Sequence, residues 1–590
     1  MQQPISYYNE RIKILEQEIQ KNRSALNLIS FLRLSVFVGT VLLVYLFFEN
    51  SYLAWAIAIV GISLFLLLLK MYVSRKHQYN FNKELIAINE EEIKILDNDY
   101  LERFDGSEFD DTMHFFSSDI DLFGRGSFFQ YTNRTGLTEG TKKLVELLTA
   151  NSICDVEKRQ AGIKELSGKN EWRQKYTAIA RTIKSETSNE SIIQWLNNYK
   201  PFLPGFYKWV VMSFGLVSTL LILGLVLKLI NPLLLLCWFI FGLALTLVYV
   251  RKVNILSLKT SRIKETIQQY AQLLDIIEET EFISPLLKEE KDKIRSKGLM
   301  ASRIFKNFSK ALDALDNRNN LIVALVGNGL FLWDIQCSLK IEKWILKYRD
   351  TVDQWFTTIA FFDAFNSFAT FAYNHPNFAY PDIRESNTVS IDIKSLGHPL
   401  IPYEDRVTSD LVLDSTDFFI ITGANMAGKS TFLRSVSLFI IMANAGLPVC
   451  AEKSYYKPTK LITSMRTSDS LTDNSSYFFA ELKRLQFIVK QLQKDSYLVV
   501  LDEILKGTNS IDKAAGSKKL IEKLVEMGVS GIIATHDLSL CKIADNLESV
   551  KNYFFETEIR DDELFFDYKL KQGVCKNMNA SFLLRKMNIT

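Results

Sequence analysis

The chain has 590 residues, 23% of them charged, with a formal net charge of +3, a pI near 8.2 and a mean hydropathy of +0.04. That length holds several domains with real cores, and so even a charge balance demands neither a nucleic acid nor a membrane as partner. Six cysteines (Cys154, Cys237, Cys337, Cys450, Cys541, Cys575) are scattered without CxxC pairs or nearby histidines, which gives no zinc site and no disulfide framework and suits a reducing compartment.

The first thirty residues carry Ile12, Ile14, Leu15, Ile19 and Leu26 among charges, the pattern of an amphipathic helix or short coiled-coil strand. Residues 31–48 and 52–73 are apolar runs parted by Glu49-Asn50-Ser51, each near the length a helix needs to cross a bilayer. A charged segment precedes the first run and no small-residue cleavage site follows it, which argues against a signal peptide. A buried soluble hairpin is the other rival. Residues 81–104 are charged and periodic and predict a helix that pairs with the N-terminal one as a stalk.

From about residue 119 to 200 the pattern is of helices with polar turns. Thr135-Gly136-Leu137-Thr138-Glu139-Gly140 starts one, and residues 159–166 lie on another. A second apolar pair follows, residues 207–230 and 233–250, joined at Asn231-Pro232, with Lys228 placed to snorkel to the interface. Lys21, Arg23, Arg33, Arg75 and Lys76 flank the first pair, and Lys200, Lys208, Arg251 and Lys252 the second, while the connecting turns carry almost no positive charge. The positive-inside rule then predicts four spans in the cell membrane with both termini cytoplasmic.

Residues 255–371 read as helical. Lys288, Lys291, Lys293, Arg295, Lys297, Arg303, Lys306 and Lys310 form a basic run, but Glu289, Glu290 and Asp292 are mixed in, so a solvated face is favoured over a phosphate-binding one. Phe361, Phe365 and Phe368 share a helical face and are read as core.

The apolar, β-branched run Phe418-Phe-Ile-Ile-Thr422 breaks into Gly423-x-x-x-x-Gly428-Lys429-Ser430, followed by Phe432, Leu433, Val436, Phe439 and Ile440 at helical spacing. Strand, glycine loop and helix together predict a phosphate-binding loop. Glycine torsions turn backbone N–H groups inward, and the helix N-terminus adds a positive dipole end. Lys429 would reach the β- and γ-phosphates of ATP, and Ser430 would ligate Mg²⁺. Downstream, Leu498-Val-Val-Leu-Asp502-Glu503 is an apolar strand ending in paired acids. Asp502 suits Mg²⁺, Glu503 the attacking water, and His536, ending Gly531-Ile-Ile-Ala-Thr-His536, suits a γ-phosphate sensor. The strands and helices from 389 to 555 predict a wound α/β sheet with ligand at the strand ends.

These residues resemble the MutS family of DNA mismatch-repair ATPases. The likeness lies in Thr422-Gly-Ala-Asn-Met-Ala-Gly-Lys-Ser-Thr431, in Asp502-Glu-Ile-Leu-Lys-Gly-Thr508 with Asp512, in Ala534-Thr-His536 and in Gly397-His398-Pro399. Asp473-Asn-Ser-Ser-Tyr-Phe-Phe-Ala-Glu481 is similar to the family's serine loop that reaches the partner's ATP, and Tyr568-Lys-Leu-Lys-Gln-Gly573 to its closing strand. The match is dense from about residue 391 onward and weaker around 135–166 and 357–380.

The resemblance implies a Mg²⁺-dependent ATPase in which Gly423, Ala424, Asn425, Met426, Ala427, Gly428, Lys429, Ser430 and Thr431 form the phosphate loop. It further implies a homodimer with composite sites, Ser476 contacting the γ-phosphate in trans and Asp512 at the seam, and DNA as a partner. Ala424 stands where the family usually has Pro, Ala427 where it has Gly, and Tyr477 where it has Thr. No aromatic for adenine stacking lies at 406–411, and the mismatch-reading domain with its Phe-x-Glu wedge is missing. The expected organisation is residues 1–110 with the first membrane hairpin (31–48 and 52–73), 111–380 as a helical core and lever region interrupted by a second hairpin at 207–250, and 381–590 as a P-loop ATPase domain. Two other functions compete: a membrane mechanoenzyme or transporter-like ATPase without a DNA role, and a scaffold that binds ATP to switch conformation.

Overall fold

A computed structural model describes residues 2–182, 188–296, 298–384, 389–466, 477–506, 508–560 and 563–575. Contacts gather the chain into two units, one of residues 134–143 and 171–365 and the other of 1–133, 144–170 and 366–590.

The first of these is almost wholly helical. Tyr207–Val226 and Pro232–Leu247 form an apolar hairpin. Asn231 accepts a hydrogen bond from the N–H of Leu233, and Pro232 opens the second helix where a missing N–H costs nothing. Trp238 stacks on Phe214 with centroids 4.4 Å apart, and its Nε1–H donates to Ser218 Oγ at 2.8 Å. The expected span at 233–250 is corrected. The helix Pro232–Leu247 has 16 residues and turns by 64° into Val250–Glu279. Three helices are long and apolar enough to cross a membrane, and a fourth is counted only if this bent pair is one span. The turn comes where apolar Leu245-Thr-Leu-Val-Tyr-Val250 gives way to Arg251-Lys252, so the chain changes direction at the change in polarity.

An apolar stretch not singled out by periodicity, Leu321-Ile-Val-Ala-Leu-Val-Gly-Asn-Gly-Leu-Phe-Leu-Trp333, packs on this hairpin as a π-helical turn, Val323–Gly327, and a short helix, Asn328–Phe331. Gly242 and Gly329 face each other so closely that a Cβ on Gly242 would lie 2.3 Å from the Gly329 carbonyl oxygen. From there begins the 42-residue helix Trp333–Asn374, whose residues are shared between the two units.

Within the same unit Asp363 is fully buried and accepts the N–H groups of Gly136 and Leu137, the latter at 2.9 Å, just ahead of the helix Thr138–Thr149. Gly140 permits the approach, because a Cβ there would collide with the Asp363 carboxylate. Phe361 and Phe365 stack at 4.1 Å, and Phe368 is fully buried, as core residues should be. Three members of the basic run are paired: Lys293 meets Glu290, Arg295 meets Asp292 and Lys306 meets Asp275. A two-residue hairpin, β1 (Arg295–Ser296) and β2 (Leu299–Met300), interrupts the helices expected over 255–371, turning at Gly298 with φ +78°.

The second unit begins with two long helices, Gln2–Leu46 and Ser51–Leu96, lying side by side. Asn82 Nδ2 donates to Glu18 Oε2 at 2.8 Å, and the Arg33 guanidinium lies over the rings of Phe65 and Tyr72. The predicted pairing of the N-terminal helix with the later charged one is therefore present, as continuous extensions of the apolar segments. The later helix ends at Leu96 rather than near 104, because Asp97 caps it and Asn98 turns left-handed at φ +63°. Asn374, at the end of the shared helix, accepts from Tyr8 and donates to Glu92, each at 2.7 Å.

The rest of this unit is built on two sheets. Their strands are β3 (Asp382–Ile383), β4 (Val389–Leu396), β5 (Ser409–Asp414), β6 (Phe418–Gly423), β7 (Lys453–Tyr456), β8 (Lys460–Ser464), β9 (Tyr497–Asp502), β10 (Gly531–Ala534), β11 (Val550–Arg560) and β12 (Glu563–Gln572). One sheet has the order β12-β11-β6-β10-β9-β8, parallel except for β12. Its strands β6, β9 and β10 are nearly continuous apolar runs because helices cover both faces. Ile420, Val499, Leu501 and Ile533 pack with Ile488 of the helix Tyr477–Leu492 and with Ile521 and Leu524 of the helix Ser510–Glu526. The expected single sheet over 389–555 is corrected: β4 and β5 belong to a separate mixed sheet, β3-β7-β4-β5. Their alternation of buried and exposed residues suits an antiparallel pair with one wet face.

Candidate active site

Parallel strands β6, β9 and β10 all end at one rim, and the chain there bends into functional loops rather than into solvent. β6 enters the loop 424–428, which feeds the helix Lys429–Ala445. Gly423 has φ +155°, and a Cβ on it would sit 3.0 Å from the Phe555 carbonyl oxygen; Gly428 has φ +101°, with Tyr568 3.1 Å from where a Cβ would be. Both positions need glycine for the close approach as well as for the torsion. Met426 adopts φ +69° with its side chain exposed at the loop tip.

Lys429 is buried, and its ammonium donates to the carbonyl oxygens of Gly423 and Ala424, each at 2.9 Å. Burial lowers its pKa, opposed by the nearby Glu503 and Asp502. Ser430 Oγ donates to Asp502 Oδ2 at 2.6 Å, joining the start of the helix to the end of β9. Glu503 lies 2.6 Å from His536 Nε2, which is itself 3.3 Å from Lys429 Nζ. With a carboxylate so close, Nε2 carries the proton and donates to it. That hydrogen bond, with the charges of Lys506 and Lys513, outweighs desolvation and pulls the Glu503 carboxyl down to about 2.

The turn holding Glu503 is itself unusual. Glu503 and Leu505 both have positive φ, +48° and +59°. Buried Glu481, on the helix Tyr477–Leu492, accepts the N–H groups of Leu505 (2.5 Å) and Lys506 (3.0 Å), and so clamps that turn. Glu481 stands in the serine-loop resemblance, but nothing in the spacing links it to Glu503, 22 residues on.

Asn425, Met426, Ala427, Gly428, Lys429, Ser430, Thr431, Asp502, Glu503 and His536 line one cavity of about 540 Å³. Gly423 and Ala424 bound it through the carbonyls that hold Lys429. Asp512 is not in this wall. It sits exposed in the first turn of the helix Ser510–Glu526, exchanging hydrogen bonds with Asn509. Ser476 lies outside the described residues. Tyr568 reaches the cavity from β12, against Gly428 of the loop. Buried His398 also lines it, its pKa lowered to about 4 by burial and by Arg434 and Arg406, so the ring is neutral at pH 7.

The residues fit a nucleoside triphosphate with Mg²⁺. The glycine positions form a cradle that a Cβ would fill, and the volume lies in the range of small-molecule sites. Among the described residues no cluster of three or more His, Cys, Asp or Glu gathers to cage a metal. The Ser430–Asp502 oxygen pair suits Mg²⁺, which keeps waters and phosphate oxygens in its shell.

Residues 419–584 match MutS domain V. The chain is 31% identical over 228 residues to the DNA mismatch repair protein MSH4 of Arabidopsis thaliana, covering 38% of this chain and 28% of that protein. It is 28% identical over 268 residues to the DNA mismatch repair protein MutS of Staphylococcus haemolyticus (44% and 30% covered), and 28% over 284 residues to that of Staphylococcus aureus (47% and 32%). The chain spans about a third or less of the length of these curated relatives. By this domain and these relatives, the chain is similar to MutS-family proteins over less than half of its length.

Proposed function

We propose that the protein is a membrane-anchored Mg²⁺-dependent ATPase that works as a homodimer and couples ATP turnover to DNA. The observation that carries the ATPase reading is the convergence of Lys429, Ser430–Asp502 and Glu503–His536 on one cavity at the strand ends. Lys429 exchanges its carbonyl partners for the β- and γ-phosphates, and its neighbouring backbone N–H groups and helix dipole favour the same anion. Ser430 and Asp502 hold Mg²⁺, which supplies charge neutralisation along the phosphates. Glu503 orients the attacking water. A carboxylate near 2 is a weak proton acceptor, so full basicity requires that His536 leave it, and His536 is then free to donate to the γ-phosphate.

Ser476 and Asp512 are assigned to the dimer seam, Ser476 reaching the partner's nucleotide. Asp512, exposed and outside the cavity of its own chain, agrees with that assignment. DNA as the partner is supported by the names of the relatives. The apolar helices, whose apolar windows are only 6–17% buried, support insertion in the cell membrane, and the lysines and arginines that flank the hairpins support the ATP site and termini on the cytoplasmic side. A second reading, a membrane mechanoenzyme without DNA, is favoured by one observation. The helix Trp333–Asn374 starts at the apolar segment packed on Gly242 and runs into the unit that holds the ATP site.

The test is ATP hydrolysis by the full-length protein in nanodiscs with no DNA, duplex, mismatched or branched DNA. Stimulation by one form, lost in Glu503→Gln while ATP binding persists, supports the DNA-coupled reading. Turnover indifferent to every DNA form moves the conclusion to the mechanoenzyme. Undiminished turnover in Glu503→Gln removes Glu503 from the chemistry.

A further inference from the structure

Where the helical unit leaves its second apolar hairpin, the surface holds a second cavity, of about 520 Å³. It lies between the helix Asn189–Asn197, the segment after it, and the first turns of Val250–Glu279. Lys200, Lys252 and Lys259 line it together with Trp195, Tyr199 and Phe202, and no Asp or Glu is in its wall. Among the described residues none of the three lysines makes a salt bridge. In the basic run at 288–310, by contrast, Lys293, Arg295 and Lys306 have acidic partners.

The cavity has a built floor. Buried Glu342 accepts the Tyr199 hydroxyl at 3.1 Å and the Phe202 N–H at 2.8 Å, fixing both aromatic residues. Lys252, whose charge acts on Glu342, also lies 5.9 Å from the centre of the Phe202 ring. Lys200 and Lys259 are exposed.

Position selects the kind of anion. Phe202 shortly precedes the apolar helix Tyr207–Val226, and Lys252 shortly follows Pro232–Leu247, so the cavity belongs to the end of the hairpin where both apolar helices meet polar chain. Exposed Phe206 and Trp209 stand at that end, and Tyr207 packs on Tyr249 with centroids 5.2 Å apart. This is the composition of an interfacial aromatic belt. Three cations beside apolar Trp195, Phe202, Ile255 and Leu256 match a molecule that is phosphate-bearing at one end and apolar at the other.

We propose that this cavity binds the phosphate headgroup of an anionic membrane lipid, held by Lys200, Lys252 and Lys259 with its glycerol region against the aromatic wall. The proposal rests on the membrane reading above. The same cations would also attract a free phosphate ester, and the experiment separates the two.

Full-length protein is first inserted in phosphatidylcholine vesicles and washed with alkaline carbonate. The detergent-purified, delipidated protein then binds a fluorescent short-chain phosphatidylglycerol in competition with unlabelled phosphatidylglycerol, phosphatidylcholine or sn-glycerol 3-phosphate. Phosphatidylglycerol should compete, and phosphatidylcholine should not. Glycerol phosphate should compete only at much higher concentration. Each lysine is worth about fivefold beside an anionic headgroup, so Lys252→Gln with Lys259→Gln should weaken binding roughly 25-fold. Lys288→Gln with Lys310→Gln, an equal charge change outside the cavity, should leave it unchanged. Equal competition by phosphatidylcholine, or full affinity in the double variant, overturns the site while carbonate resistance leaves the membrane reading standing. Equal competition by glycerol phosphate overturns the lipid as its source. Release by carbonate overturns the membrane reading and the lipid site with it.

Discussion

Replacing Glu481 by Ala tests whether the Glu503 carboxylate, proposed to orient the water, is held in place by a neighbour outside the cavity. Glu503 and Leu505 both occupy left-handed backbone conformations, each costing about 1–3 kcal/mol for a residue with a side chain. Against that cost, Glu481 supplies both carboxylate oxygens to the N–H groups of Leu505 and Lys506. Removing it leaves the buried Leu505 donor unsatisfied, a penalty of about 1–3 kcal/mol, and loses a second bond nearer the surface. A turn that stores strain of similar size then has no reason to persist, and losing about 2–4 kcal/mol of clamp depopulates it by roughly 30- to 1000-fold. Glu503 therefore drifts from its place beside His536, while Lys429 and Ser430, on another loop, keep theirs. The assay is a pair of measurements on the full-length protein: nucleotide affinity by equilibrium binding, and kcat for ATP hydrolysis. Affinity should change by less than about threefold and kcat should fall at least tenfold. Glu481→Gln, which retains one acceptor oxygen, should fall between the two. Wild-type kcat in Glu481→Ala would refute the clamp, and an equal loss of affinity and stability would reduce Glu481 to a core residue.

Two further outcomes follow from the helical unit. Burial raises the Asp363 carboxyl from 3.8 to about 7, so the folded state holds a proton that the unfolded chain releases. Its contribution to stability is fully present below about pH 4 and is lost as pH rises to about 7, a swing of roughly 4 kcal/mol at 1.36 kcal/mol per unit. Thermal unfolding at pH 5 and pH 7.5 should show a smaller pH difference in Asp363→Asn than in wild type, and identical differences would discard the assignment. Gly242→Leu should cost about 1–3 kcal/mol by driving a side chain into the Gly329 carbonyl and the Phe214 ring. A melting midpoint in detergent equal to wild type would show that this contact is not tightly packed.

The sequence by itself determined the parts whose cause is local. The run Phe418-Phe-Ile-Ile-Thr422, the glycines at 423 and 428 and the apolar spacing after Lys429 specify strand, loop and helix through torsion and periodicity alone, and all three are present. The paired acids at the end of β9 and the apolar character of the long helices were equally legible, because each is a property of consecutive residues. Tertiary structure decided what depends on residues far apart. Tyr568 enters the cavity only because β12 folds back on β11, and Glu481 reaches the Glu503 turn only because its helix packs against β9 and β8. β4 and β5 left the parallel sheet for a second one, since strand pairing is set by which edges meet and not by propensity. Likewise Leu321 to Trp333 is too short an apolar run to be read as a span, and its place against Gly242 follows from one close approach of two glycines that no spacing rule contains.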